Sequence, residues 1–197
     1  LTLQAAGTPS ITVANQSATL GTVLAGSNGL AKNGGGTLVL NAANTYTGYT
    51  TINSGVLEMT SSARLYNAAF NNTNVITIGT GGTWRMPDFS YATTGQLADY
   101  RERRVINGGA IEVTGATHTS GQNFTVSSNG GTFRYTNNGG TLSLTGNTNG
   151  NIRTDGAFSI DGAGNLTITE TIEGTGSITK TGTGPILLRQ TGSTFSG

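Results

Sequence analysis

Asp88 follows Trp84-Arg85-Met86-Pro87 and precedes Phe89 and Tyr91. A carboxylate beside aromatic rings is what a sugar-stacking loop or a glycosidase groove requires, but a corner loop between strands explains the stretch with fewer assumptions. Asp155 and Asp161 lie in a Gly-rich segment and could meet across a turn, yet Asx turns account for both. His118 is the only histidine, flanked by Thr117 and Thr119 with no acid nearby, so neither a metal site nor a catalytic triad has partners. With no cysteine there is no thiol nucleophile, thiolate metal site or disulfide. The runs Gly34-Gly36 and Gly139-Gly140 lack the Gly-Lys-Ser/Thr and the βαβ setting of a phosphate loop. The densest charge is Asp99-Tyr100-Arg101-Glu102-Arg103-Arg104. It reads as a solvated excursion with internal pairing, and Asp99, Arg101, Glu102, Arg103 and Arg104 are the candidate contact patch toward an anionic group or a neighbouring subunit. The expectation is a protein that is not an enzyme, with no catalytic, metal-binding or cofactor-binding residues.

The elements that carry these residues follow from composition. Of 197 residues only 10% are charged and 34% hydrophobic, and the net charge of +1 argues against nucleic acid as a partner. Thirty-two glycines with only three prolines exclude collagen and place the glycines in turns. Thr favours strands, Asn and Gly favour tight turns, and helix formers are sparse, so the chain reads as all-β. No apolar run of about 18 residues is present, so no transmembrane helix is expected in this chain. The chain starts at Leu1 and ends at Ser196-Gly197 inside a pattern that occurs complete elsewhere, and it is expected to be a segment of a longer repeat protein, 1–197 forming a single unit.

Self-similarity decides the architecture. Residues 24–40 match 172–188 position by position, and, with one insertion, Asn44-Thr-Tyr46-Thr-Gly48 matches Ser193-Thr-Phe195-Ser-Gly197, giving repeat copies at 24–57 and 172–197. Within this long period runs a shorter unit, a glycine-containing turn followed by apolar-x-apolar, the alternation of a strand with one buried face. Its pairs are Leu38/Leu40, Leu57/Met59, Trp84/Met86, Ile111/Val113, Phe133/Tyr135, Leu142/Leu144, Leu166/Ile168 and Ile186/Leu188. Most are about 19–27 residues apart, the length of one coil of a parallel β-solenoid. The step from Phe133 to Leu142 is too short for a coil, so those two pairs read as adjacent faces of one rung. A second apolar group, Leu30, Ile52, Ile76/Ile78, Phe124/Val126, Phe158/Ile160 and Ile178, marks a second face.

The middle residue of each pair must point to solvent. Read rung by rung these are Val39, Glu58, Arg85, Glu112, Arg134, Ser143, Thr167 and Leu187. In a parallel stack Glu58, Arg85, Glu112 and Arg134 form a ladder of alternating sign, weak in energy at about 0–1 kcal/mol per exposed contact but useful as a marker of register.

From Leu30 to Leu57 the chain resembles the autotransporter-associated β-strand repeat of passenger proteins from Gram-negative envelopes. The likeness rests on Leu30, Lys32, Gly34, Gly36, Leu38, Leu40, Asn44, Tyr46 and Gly48, with Thr37, Thr45, Thr47, Thr50, Thr51, Ile52, Gly55 and Leu57. The later copy carries it at Ile178, Lys180, Gly182, Gly184, Ile186, Leu188 and Phe195, and departs at Pro185, where Thr is usual, and at Phe195, where Tyr is usual. The resemblance implies a right-handed parallel β-helix, export to the cell surface or beyond, and a structural, adhesive or display role without catalytic residues. Expected partners are neighbouring rungs or copies of the same protein, in a surface stalk, adhesin passenger or self-assembling fibre. The alternative is a β-helix that binds or cleaves cell-surface glycans.

Overall fold

The structure, a computed structural model, describes residues 1–4, 7–60, 63–65, 76–88, 104–120, 124–145, 151–189 and 194–196. Strands follow one another across short corners, and the strands within each sheet hydrogen-bond in parallel to those of adjacent coils. The result is a right-handed parallel β-helix with three faces.

The long sheet has nine strands, from Ser10–Thr12 to Thr194–Phe195, and the second sheet has eight, from Ser17–Leu20 to Ile178–Lys180. The third sheet stacks His118–Ser120, Thr141–Leu144, Asn165–Ile168 and Ile186–Leu188. In earlier coils Ala43–Asn44 pairs with Arg64–Leu65 at the corresponding turn of the chain. Coil length varies: Asn33 and Asn53 stack at a separation of 20 residues, Arg85 and Glu112 at 27.

Inward residues of the second sheet form a continuous column, Leu38, Leu57, Trp84, Ile111, Phe133 and Ile160, each in register with the next. The long sheet contributes Ile52, Ile78, Ile106 and Val126 in the same way. All are buried, and each side chain removed from water contributes about 1.5–3 kcal/mol. Phe124 stacks on Phe133 with ring centroids 5.3 Å apart and meets Phe158 edge-on at 5.7 Å, joining the faces across the core. One corner shows why glycine is required. Gly55 has φ +66°, and a Cβ there would sit 2.4 Å from both the Gly34 and Gly36 carbonyl oxygens of the preceding coil.

Past Tyr135 the faces differ from the reading of the pattern. Leu142/Leu144, Leu166/Ile168 and Ile186/Leu188 belong to the third sheet, while Phe158/Ile160 and Ile178 belong to the second sheet rather than to the face of Leu30 and Ile52. Ser143, Thr167 and Leu187 therefore continue an outer column of the third sheet, not the charged ladder. The cause is physical: apolar-x-apolar after a turn is what every face demands, so the pattern alone does not say which face a strand occupies. Residues 172–188, which align with 24–40, sit one face further round. Leu30–Asn33 lies in the long sheet and Ile178–Lys180 in the second, Thr37–Leu40 in the second and Ile186–Leu188 in the third.

Candidate functional site

The outer column of the second sheet is a ladder of charge running through five coils. Glu58, Arg85, Glu112, Arg134 and Asp161 are mutual register partners. Arg85 Nη1 lies 3.2 Å from Glu58 Oε2 and its Nε 3.2 Å from Glu112 Oε2. Arg134 completes the chain, with Nη1 3.9 Å from Glu112 Oε2 and Nε 2.7 Å from Asp161 Oδ2. Asp161 is the rung the pattern missed. Its signal was the spacing, since Glu58 to Arg85, Arg85 to Glu112 and Arg134 to Asp161 are each 27 residues apart. The Asp161 carboxylate also accepts from the Gly162 N–H at 2.8 Å, so the expected turn role and the ladder role coexist in one side chain. The Arg134 hydrogen bond, then the Gly162 N–H, hold its pKa below the usual carboxylate value.

The repeat residues act at the corners. Lys32 is wholly buried, and its ammonium donates to the carbonyls of Asn33 (3.0 Å) and Gly34 (2.8 Å) in its own corner and to Ser54 (3.0 Å) in the next coil. All three N–H groups are satisfied, and burial lowers the pKa of the amine. Asn44 ties two coils through its side chain, accepting from the Leu24 N–H at 2.9 Å and donating to the Ala42 carbonyl at 3.0 Å. Tyr46 is buried with its hydroxyl 2.6 Å from Thr50 Oγ1, and burial pushes its pKa upward. In the later copy Lys180 is exposed and donates to the Gly182 carbonyl, Leu188 is 46% exposed, and Ile178 and Ile186 are partly buried. Gly36, Gly48, Gly182 and Gly184 each lie against the backbone of the preceding coil, where a Cβ would come within 2.4 Å of a backbone atom.

Arg104 departs from its place in the candidate contact patch. It opens the strand Arg104–Asn107, in register with Ile76, and is 1% exposed. The strand alternation explains this: Arg104 and Ile106 point inward while Val105 points out. Asp99, Arg101, Glu102 and Arg103 lie outside the described residues. Glu170, also 1% exposed, is the core acid that sequence reading passed over. Burial raises its pKa to about 8, and the positive charge of Arg104 acts in the opposite direction.

The residues considered for catalysis do not converge. Asp155 receives Arg153 Nε at 3.0 and 2.9 Å, whereas Asp161 belongs to Arg134. Trp84 is fully buried, its indole N–H directed at Met59 Sδ at 3.1 Å, so it is no platform for a sugar ring. Phe89, Tyr91 and Tyr100 lie outside the described residues. His118 begins a third-sheet strand in register with Leu142. Among the described residues no group of three His, Asp or Glu is placed to hold a metal ion, and no helix is long and apolar enough to cross a membrane. An open groove of about 260 Å³ lies beside Glu58, Arg85 and Pro87, and the two charges that face it are bonded to each other.

Residues 30–59 match the family model of the passenger-associated-transport-repeat. The chain is similar to the adhesin BmaC autotransporter of Brucella suis biovar 1 (strain 1330), with 36% identity over 184 residues. That alignment covers 83% of this chain and 5% of the relative, so the chain spans about one-twentieth of the length of the curated protein it matches. No solved structure matches the chain.

Proposed function

The chain is an autotransporter passenger repeat protein, and from that premise we propose that it is one uninterrupted stretch of shaft in a surface-exposed, non-catalytic adhesin passenger of a Gram-negative cell. The observation that carries the reading is the direction of the side-chain bonding. The ladder from Glu58 to Asp161, the Lys32 corner and the Asn44 bridge all run along the solenoid axis, from coil to coil. Such bonding resists bending and slippage and leaves little charge for a soluble ligand. A glycan-cleaving reading needs two carboxyl groups facing one groove, and here Asp155 and Asp161 are each held by a separate arginine. A glycan-binding reading loses its one described aromatic candidate with the burial of Trp84.

The test is deletion of 1–197 from the parent passenger, followed by electron microscopy of the cell surface and an adhesion assay. Nine coils at about 4.8 Å each predict a rod shortened by roughly 4 nm. Retained adhesion by the shorter rod supports a shaft whose contact surface lies elsewhere. Lost adhesion with the rod otherwise intact transfers the adhesive role to this stretch, and indefinite filaments in place of rods of fixed length replace the shaft reading with fibre assembly.

A further inference from the structure

Asparagine followed by glycine is a reactive pair. The glycine nitrogen can attack the asparagine Cγ because no side chain on the second residue obstructs its approach. A ring C–N bond forms, the side-chain amide C–N bond breaks and ammonia leaves. Water then opens the cyclic imide at one carbonyl to give aspartate or at the other to give isoaspartate. The sequence contains six such pairs, beginning at Asn28, Asn33, Asn107, Asn129, Asn138 and Asn149, and the last lies outside the described residues.

Four of the described pairs are tied to a neighbouring coil. Asn28 Nδ2 donates to the Gly7 carbonyl at 3.4 Å, and Gly29 is buried against the Tyr49 backbone. Asn33 Oδ1 accepts from Asn53 Nδ2 at 2.7 Å, while Gly34 lies against the Val13 backbone and its carbonyl accepts from Lys32. Asn107 Oδ1 accepts from Ser127 Oγ at 2.7 Å and from Asn129 Nδ2 at 2.8 Å, which engages both asparagine side chains. The two nitrogens that would attack there are engaged as well, Gly108 N–H donating to the Gly130 carbonyl and Gly130 N–H to the Ser127 carbonyl, each at 2.8 Å.

Asn138-Gly139 stands apart. It is the tip of the corner between the second-sheet strand Gly131–Tyr135 and the third-sheet strand Thr141–Leu144. Gly140 N–H donates to the Asn137 carbonyl at 3.1 Å and closes the turn, with Gly139 at φ +84° as a type II turn requires. Both tip residues are exposed, and neither the Asn138 side chain nor the Gly139 N–H has a hydrogen-bond partner among the described residues. No atom lies within 4 Å of the place a Gly139 Cβ would take. The closed turn holds Asn138 extended, so attack waits on its opening. That opening breaks one backbone bond, whereas Asn33 and Asn107 must also be freed from the adjacent coil. We infer that Asn138 is a site of spontaneous covalent modification, converting to aspartate and isoaspartate in the folded protein with water as the only co-reactant. The extra backbone methylene of isoaspartate enters open space, so the coil keeps its stacking, and a negative charge arises where Thr136, Asn137 and Thr141 are uncharged.

Ageing of the whole parent passenger at mildly alkaline pH tests this, read by peptide mass spectrometry with fragmentation that separates aspartate from isoaspartate. In the folded protein Asn138 is expected to convert at least about tenfold faster than Asn33 and Asn107, because a local opening suffices there. In urea the three rates are expected to converge. Equal rates in the folded protein overturn the proposal. A gap that survives in urea also overturns it, by assigning the selectivity to the local sequence rather than to the corner. Amide exchange of Thr141–Leu144 should be the same in aged and fresh protein, and faster exchange after ageing would show that the corner does not absorb the change. None of these outcomes depends on rod length or adhesion, so failure here is distinguishable from failure of the shaft reading.

Discussion

The inner and outer columns of the second sheet run side by side through the same coils and do different work. The inner column, from Leu38 through Trp84 to Ile160, is buried, apolar and tolerant of register in steps of two: sliding a strand by two residues still places an apolar residue on an apolar residue, as Trp84 on Met59. The outer column, Glu58 to Asp161, has four members about one-third exposed, and only one register brings each charge against its opposite. Stability and register are thus assigned to opposite faces of one sheet. The division teaches that a repetitive core needs a non-repetitive exterior to define which coil follows which.

Breaking the inner column should have the largest effect. Trp84→Ala removes the largest fully buried side chain, and deletion of a core aromatic costs about 3–5 kcal/mol. Urea denaturation of the parent passenger should show this as a lower midpoint of the transition that includes this stretch. A change below about 1 kcal/mol would mean that neighbouring coils collapse into the space, and that the column is looser than its burial implies. Lys32→Met comes next, since it strands three carbonyls at a closed corner, with an expected loss of about 1–3 kcal/mol. Equal stability of wild type and variant would show that the corner carbonyls find other donors.

Glu170 allows the comparison to be drawn with pH. Its folded-state pKa of about 8 lies above the ordinary 4.5, so the folded protein holds the proton more tightly than the unfolded chain does. The resulting stabilisation is fully present below about pH 4.5 and is lost as pH rises through 8. Asp161 works in the opposite sense. Its pKa is depressed, so its contribution is present above the ordinary value of 3.8 and is lost as pH falls. The core acid therefore favours acid conditions and the ladder acid disfavours them. Melting curves at pH 6 and pH 9 should show a loss of stability in the wild type that Glu170→Gln removes. An identical pH slope in both proteins would place the titration elsewhere.

Much of this was legible in the sequence. The charge alternation of Glu58, Arg85, Glu112 and Arg134, and the corner glycines, were visible because each obeys a local rule repeated coil after coil. The face assignment after Tyr135 was not, because the same turn-and-strand unit satisfies any of three faces, and only the hydrogen-bonded register separates them. Asp161 was read as a turn residue, since its position beside Gly162 is a sufficient local explanation. Arg104 and Glu170 escaped for a related reason. Charged residues are seldom fully buried, and nothing local marks Arg104 as inward-facing except the alternation it shares with Ile106.

The smallest expected effect on stability gives the sharpest test of the division. Glu112 sits between Arg85 and Arg134 and is the least exposed rung of the ladder, at 12% for its side chain. Glu112→Gln removes the charge yet keeps the shape, and should cost only about 0.5–1 kcal/mol, as partly exposed ion pairs do. Glu112→Lys puts three positive charges on successive coils. If the outer column does set register, this variant should show new coil pairings, read by disulfide trapping between cysteines placed at Thr83 and Ala110, which are register partners in the wild type. Restoring alternation by inverting the other rungs too, with Glu58→Arg, Arg85→Glu, Arg134→Glu and Asp161→Arg in the same chain, should recover the native cross-link without raising stability above wild type. Native cross-linking in Glu112→Lys alone would show that the inner column holds register by shape, and that the ladder merely follows it.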